Sequence, residues 1–337
     1  MNQIYNQQRG LYHKRLALLG LALTISTILS LLYGRYPEVG FVTLDSLMND
    51  PLMGKIVLNI RLPRILLALL GGASLAAAGF VFQMLFANPL VEPGFLGVSQ
   101  GAAFGAASVI VFYGYSSLYV QLSATFFALL ALYLSNRIAH LFRFGGWILR
   151  LVLSGIAVGA VFTSLLSVVK VLADPTTSLQ EITFWMMGGL YNSSWQRALS
   201  VIPTMVISLI ILFSVRWRIN LLSLPDRTGH PIGLSVARER ILLLIIATIA
   251  TTSIISVAGL ISWVGLIVPH LARRLFTSDS RYSLAGSMLI GALFLLISDT
   301  IGRTLLSSEI PLGIITSLFG AILFIIILSN KQSGVKL

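Results

Sequence analysis

The chain has 337 residues, of which 56% are hydrophobic and only 10% charged, and its mean hydropathy is +0.92. A soluble globular protein carries about 25% charged residues, so the composition excludes an ordinary soluble enzyme and describes an all-α integral membrane protein, one transmembrane domain over 1–337. Cysteine is absent, which excludes disulfides and thiolate metal sites, and the net charge of +12 fits Lys and Arg gathered in cytoplasmic loops rather than nucleic-acid contact.

Met1–Arg15 is polar and basic, and Leu16–Tyr33 is an uncharged run of 18 residues. That run exceeds a signal-peptide core and lacks a small-residue cleavage site after it, so it reads as the first span. Gly34–Ile60, with Pro37, Pro51, Glu38, Asp45 and Asp50, reads as an external loop. Leu62–Phe86 is the second span, with the small-residue run Gly71–Gly79 that lets helix backbones approach closely. Asn88-Pro89-Leu90 ends it, Gly94–Tyr115 is the third span and Leu118–Leu134 the fourth. Leu151–Val169 is the fifth and carries Ser154, Gly155, Gly159, Thr163 and Ser164, a set that serves either close packing or a pathway wall. Ala173–Trp195 is an amphipathic loop whose Trp185 and Trp195 suit a membrane-interface belt, and Ala198–Val215 is the sixth span. Arg216–Arg240 is the longest polar stretch inside the apolar body, either a plain connection or a docking surface for a cytoplasmic partner. Ser283–Ile301 and Pro311–Leu328 are the ninth and tenth spans.

Between them lies the stretch on which the chain is organised. No charge occurs from Ile241 to Ala272, a run of 32 residues. One span needs about 20 residues and two need about 40, so the run predicts a full helix, a break and a short helix. Gly259, Gly265 and Pro269 supply the break. Broken helices mark transport pathways in membrane proteins. Ala78-Gly79 stands before Pro89 at the same spacing as Ala258-Gly259 before Pro269, the pattern an inverted repeat gives. Ten spans put both termini on one side. With that side inside, the inner loops hold 16 Lys and Arg and the outer ones 7, which places the termini in the cytoplasm.

No phosphate-binding GxxxxGK[ST] loop, HExxH, GxSxG or paired-carboxylate arrangement occurs, so neither ATP binding of that kind nor an intramembrane enzyme is indicated. The four histidines, His13, His140, His230 and His270, have no metal-ligand spacing. Asp299 is the one acid inside a span, and Arg303 stands four residues on, so it either pairs structurally or couples transport to an ion, the secondary-transporter alternative. Arg61, Arg64 and Arg303 sit at outer helix ends against the charge bias. They either snorkel to lipid phosphate or grip a partner's carboxylates.

Arg61–Ala106 (RLPRILLALLGGASLAAAGFVFQMLFANPLVEPGFLGVSQGAAFGA), Phe184–Trp195 (FWMMGGLYNSSW), Gly259–Phe276 (GLISWVGLIVPHLARRLF) and Ser298–Phe324 resemble the FecCD-type permeases of type II ABC importers. The resemblance covers nearly the whole chain. It implies ten transmembrane helices per subunit in an inverted-repeat fold, a homodimer with the pathway on its axis, two cytoplasmic ATPase subunits that bind the ATP, and a periplasmic or extracellular substrate-binding protein. The chain itself then holds no cofactor. The implied cargo is an iron–siderophore complex, haem or cobalamin, or an oxyanion such as molybdate or tungstate. By the same resemblance Arg61, Arg64 and Arg303 meet the binding protein, and Asn88 and Leu90 form a cytoplasmic gate. Ser154, Gly155, Gly159 and Thr163 line the pathway, and Leu222, Asp226, Arg227, Gly233, Leu234 and Ser235 contact the ATPase. Pro225 and Pro231 depart from the family's usual coupling loop, and Gly320–Ile322 reads GAI where relatives have GAP.

Overall fold

The computed structural model describes residues 2–36, 38–43, 49–223 and 236–329. Thirteen α-helices appear among them. The first is α1 (Asn2–Leu32), followed by the two-residue strands β1 (Tyr33–Gly34) and β2 (Gly40–Phe41), paired antiparallel. Then come α2 (Pro51–Ile56), α3 (Leu62–Leu85), α4 (Val98–Tyr113), α5 (Ser117–Leu141), α6 (Trp147–Leu172) and α7 (Ser178–Met187). The rest are α8 (Trp195–Ser214), α9 (Arg216–Leu222), α10 (Val236–Ala258), α11 (Val264–Leu275), α12 (Ser280–Thr304) and α13 (Leu312–Ser329). Seven continuous helical stretches are long and apolar enough to cross a membrane; α4 and α13 are shorter apolar helices, and α11 has 12 residues.

Two expected boundaries move. The external loop ends early, because Pro51–Leu85 is one helical run through a π-helical turn at Val57–Arg61. The break after α10 uses Gly259 but not Gly265 or Pro269, which lie inside α11. Gly259 has φ +71° and Trp263 has φ +73°, so the chain turns between two left-handed residues. The first is cheap for glycine; the tryptophan is held there by packing, its ring 6.1 Å from Phe324 and its Cβ against Gly320. The matched Gly79 and Gly259 are therefore not equivalent positions: Gly79 is mid-helix.

Helix α3 occupies the centre, with 19 of its 24 residues buried, whereas the apolar part of α1 is almost wholly peripheral. Its small residues explain the position. A Cβ on Gly72 would lie 2.2 Å from the Gly291 carbonyl oxygen of α12, and one on Gly79 would lie 1.9 Å from that of Gly265 in α11. Only glycine permits helices to approach this closely. Eight residues before Gly72, Arg64 meets Asp299, eight residues after Gly291; four residues after Gly72, the Ala76 carbonyl accepts from Ser287, four before Gly291. The two helices thus share one antiparallel register over three contacts. Helices α1 and α12 run parallel, since Tyr12 meets Tyr282 at one end (ring centroids 5.1 Å) and Ser30 bonds Thr300 at the other (2.7 Å).

Gly79→Leu should cost the fold about 1–3 kcal/mol or more, the overpacking penalty for a close contact, while Gly54→Ala, with open space at its Cα, should melt like wild type. Thermal melting of the purified proteins checks both.

Candidate functional site

At the end of the bundle where α3 begins, charges gather where lipid would not tolerate them singly. Arg64 grips Asp299 through Nε and Nη2, with Nε donating at 2.9 Å to Oδ1 and 3.0 Å to Oδ2. Its Nη1 donates at 2.9 Å to Glu309, whose side chain is 41% exposed while Asp299 is fully buried. Arg303, four residues along α12, stands 3.9 Å from Asp299 and gives its Nη2 to the carbonyl and hydroxyl of Ser30 in α1. Arg61 lies over Gly34 and donates to the Leu31 carbonyl at 2.9 Å. All three arginines are under 10% exposed. Within the chain each of the three arginines is held by α1, α12 or the α12–α13 loop. The main partner of Asp299 is Arg64, across the bundle, and Arg303 is secondary. A buried pair of this geometry forms because an isolated ion in a low-dielectric interior is prohibitively costly. The alternative of Asp299 as a coupling acid loses its basis, since a bidentate arginine occupies both carboxylate oxygens.

The broken segment is closed by polar backbone from elsewhere. Gly189 N donates to the Ala258 carbonyl at the end of α10 (2.7 Å), and Leu312 N to the Gly188 carbonyl (2.8 Å). Pro269 has no N–H, so the Gly265 carbonyl one turn earlier lacks its helical donor. Gln83 of α3 supplies one, giving its amide to Gly265 (3.3 Å) and Leu266 (2.9 Å), while its oxygen accepts from Arg273. Trp185, expected at the lipid interface, is instead 5% exposed and buried beside this junction, where its carbonyl faces Gly259; Trp195 donates to the Leu58 carbonyl at 2.9 Å.

At the far end of α3, Ala87 is left-handed (φ +46°) and the Asn88 side chain accepts from Leu90 N at 2.9 Å. This Asx turn holds Leu90 outward, 48% exposed. On α6 the expected wall residues divide. Ser154, Gly155 and Gly159 are buried: Ser154 donates to the Arg150 carbonyl, and Cβ atoms on Gly155 and Gly159 would meet Phe95 O at 2.4 Å and Gly97 at 3.5 Å. These three are packing residues. Thr163 is exposed, on an outward face with the small residues Ala157, Ala160, Ser164 and Ser167.

Of the expected ATPase contacts, Asp226, Arg227, Gly233, Leu234 and Ser235 lie outside the described residues, as do Pro225 and Pro231. Leu222 is fully buried, and its carbonyl accepts from Arg240 (2.8 and 3.2 Å), whose guanidinium lies 5.3 Å over Trp147. Arg218 and Glu239 pair at 3.7 Å, and Asn220 bonds Asp279 at 2.7 Å. The segment 224–235 therefore springs from a base tied to α10 and α12. Sequence reasoning passed over Gln83, Ser30 and Glu309. Gln83 alone had a signal, as an amide inside an apolar span.

Residues 22–330 match the FecCD transport family. The chain is 35% identical over 333 residues to the molybdate import system permease protein MolB of Haemophilus influenzae, covering 96% of this chain and 98% of that one. It is 36% identical over 306 residues to the hemin transport system permease protein HmuU of Yersinia pestis, covering 88% and 89%. An inward-facing metal-chelate type ABC transporter aligns with a TM-score of 0.87 at 35% identity, over 94% of this chain and 99% of that chain.

Asp299→Ala should cost about 3–5 kcal/mol by leaving buried Arg303 without a carboxylate and Arg64 with the half-exposed Glu309 alone, and adding Arg64→Leu should recover part of that loss. Melts of the four proteins of this cycle give the coupling; additive losses would show that the pair does not act as a unit.

Proposed function

The chain belongs to the FecCD transport family, and we propose that it forms half of the translocation pathway of a binding-protein-dependent ABC importer, as one subunit of a homodimer with two cytoplasmic ATPase subunits below and a substrate-binding protein above. It is a multi-pass membrane permease, not a catalytic enzyme. The observation that carries the proposal is that nearly the whole chain, and not a shared element, matches a solved transporter of the metal-chelate type. Counting α4, α11 and α13 with the seven long helices gives the ten crossings of the proposed fold. It sits in the bacterial inner membrane with both termini in the cytoplasm, which the excess of basic residues in the inner loops supports. ATP is bound by the partner subunits, which press on the segment 224–235. The stiff base made by Leu222, Arg240 and Asn220 supports this reading, since a tied base passes displacement to α10 and α12.

The cargo is a metal chelate of the iron–siderophore, haem or cobalamin kind, or a metal oxyanion such as molybdate, the range that the relatives' names span. The pathway wall is the small-residue face of α6 with Ala157, Ala160, Thr163 and Ser164, an uncharged surface that leaves selection to the binding protein. That protein docks on the rim around Glu309 and the α12–α13 loop. Its carboxylates reach Arg64 by displacing Glu309, the more exposed of the two anions that Arg64 holds. Asn88 and Leu90, held outward by their turn, close the cytoplasmic end.

In proteoliposomes carrying the permease, its ATPase and its binding protein, uptake should require ATP, and the chain alone under an ion gradient should accumulate nothing. Ala160→Trp should reduce uptake at least tenfold while the melting temperature stays put; Gly155→Trp should lower the melting temperature as well. Concentrative uptake by the lone chain would refute the reading.

A further inference from the structure

Glu92 has no place in the functions above. It lies where the chain turns back from the end of α3 toward α4, and it follows the Asn88 turn into the bundle rather than out of it. A Cβ on Gly265 would lie 3.8 Å from its Oε2. Gly265 itself packs on Gly79, which is six residues, or roughly 9 Å, inside the end of α3. The carboxyl group thus stands inside the end of the bundle, half-buried. Among the described residues it has no ion pair and no hydrogen bond. It borders a cavity of about 60 Å³.

The other walls of that cavity come from every element that meets here. Ser99 is in the first turn of α4, Ser262 is in the break before α11, and Thr251 is on α10. The Thr251 hydroxyl donates to Ala247 at 3.0 Å, while those of half-buried Ser99 and exposed Ser262 have no partner among the described residues and remain open to an occupant of the cavity. A Cβ on Gly94 would lie 3.4 Å from Ser99 Oγ and 3.7 Å from Glu92 Oε1, so hydroxyl and carboxylate crowd the same glycine. The remaining lining, Leu75 of α3, Pro93, Ile255 of α10, Leu260, Ile261 and Gly265 of α11, contains no second titratable group.

A half-buried carboxylate walled by Leu75, Pro93, Ile255, Leu260 and Ile261 favours a positive charge beside it, and no Lys, Arg or His among the described residues pairs with it. What can neutralise it is a small cation from solvent. One negative charge balances one positive charge, and unwound backbone at a half-helix end is where broken-helix transporters hold sodium or protons; here two hydroxyl oxygens stand beside it. We propose that Glu92, Ser99 and Ser262 form a site for a small monovalent cation, a sodium ion or a proton, at the joint where the two irregular segments meet. The occupant joins the turn before α4 to the break before α11 and holds the two in one arrangement. It is a fixed occupant, not a driving ion, so this inference does not depend on the direction or energy source of transport.

Melting temperatures of the purified full-length permease test it, measured in sodium, potassium and choline chlorides from pH 6 to 8.5. Sodium occupancy predicts a rise with sodium, by a constant increment per tenfold step above its dissociation constant. Proton occupancy predicts higher stability toward low pH irrespective of the salt, because the folded state then binds the extra proton. Either dependence should vanish in Glu92→Gln and shrink in Ser262→Ala. Should Glu92→Gln fail to fold, Ser99→Ala and Ser262→Ala carry the comparison, and the infrared C=O stretch of a protonated carboxylic acid separates the two occupants in wild type. A wild-type melting curve indifferent to both sodium and pH, or a dependence unchanged in the variants, overturns the proposal.

Discussion

Helix α3 runs through the centre of the bundle close enough to touch its neighbours' backbones, and the rest of the molecule depends on that approach. Gly72 meets the Gly291 carbonyl and Gly79 meets that of Gly265. In lipid there is no hydrophobic drive between helices, so close van der Waals contact and interhelical polar contacts must hold them. The glycine contacts supply the first, and Arg64–Asp299 and Ser287–Ala76 supply the second along the same register. The register in turn sets which face of α12 points at α1, and so where Arg303 can find Ser30.

A membrane interior also demands that every freed backbone group find a partner inside the protein. The short helix α11 is possible only because this demand is met from several directions. Gly189 caps the end of α10, Gln83 covers the carbonyl that Pro269 leaves open, and Leu312 closes on Gly188. The region with the least regular backbone is therefore among the most densely cross-linked, and the loop Gly188–Leu190 between α7 and α8 is part of its closure. The Glu92 carboxylate lies at the same junction and has no ion pair or hydrogen bond among the described residues.

Much of the architecture was legible beforehand. Hydropathy alone separates the spans, and the uncharged run to Ala272 forecasts one long and one short helix because span length is set by the bilayer. The side chains on those helices were harder to read. Ser154, Gly155 and Gly159 have the composition of either a wall or a packing surface, and nothing local decides between them; the 3₁₀ turn Pro93–Leu96 and Gly97 lie against that face and make it packing. Asp299 and Arg303 sit one turn apart, so sequence spacing pairs them, yet the stronger partner, Arg64, is 235 residues away. The outward arginines looked unpaired because their acceptors are backbone carbonyls of α1 and the carboxylate of Glu309, and backbone acceptors leave no trace in composition.

The amino-acid sequence by itself determined the class of molecule, the place of its long apolar segments, the site of the broken helix and, through long motifs, the family. These follow from solvent: lipid reads every residue's polarity independently, so linear order suffices. The tertiary structure alone decided which charges neutralise which, which face of α6 is buried, and where the break begins and ends. Those depend on which helices touch and in what register, and that is a property of pairs of segments far apart in the chain.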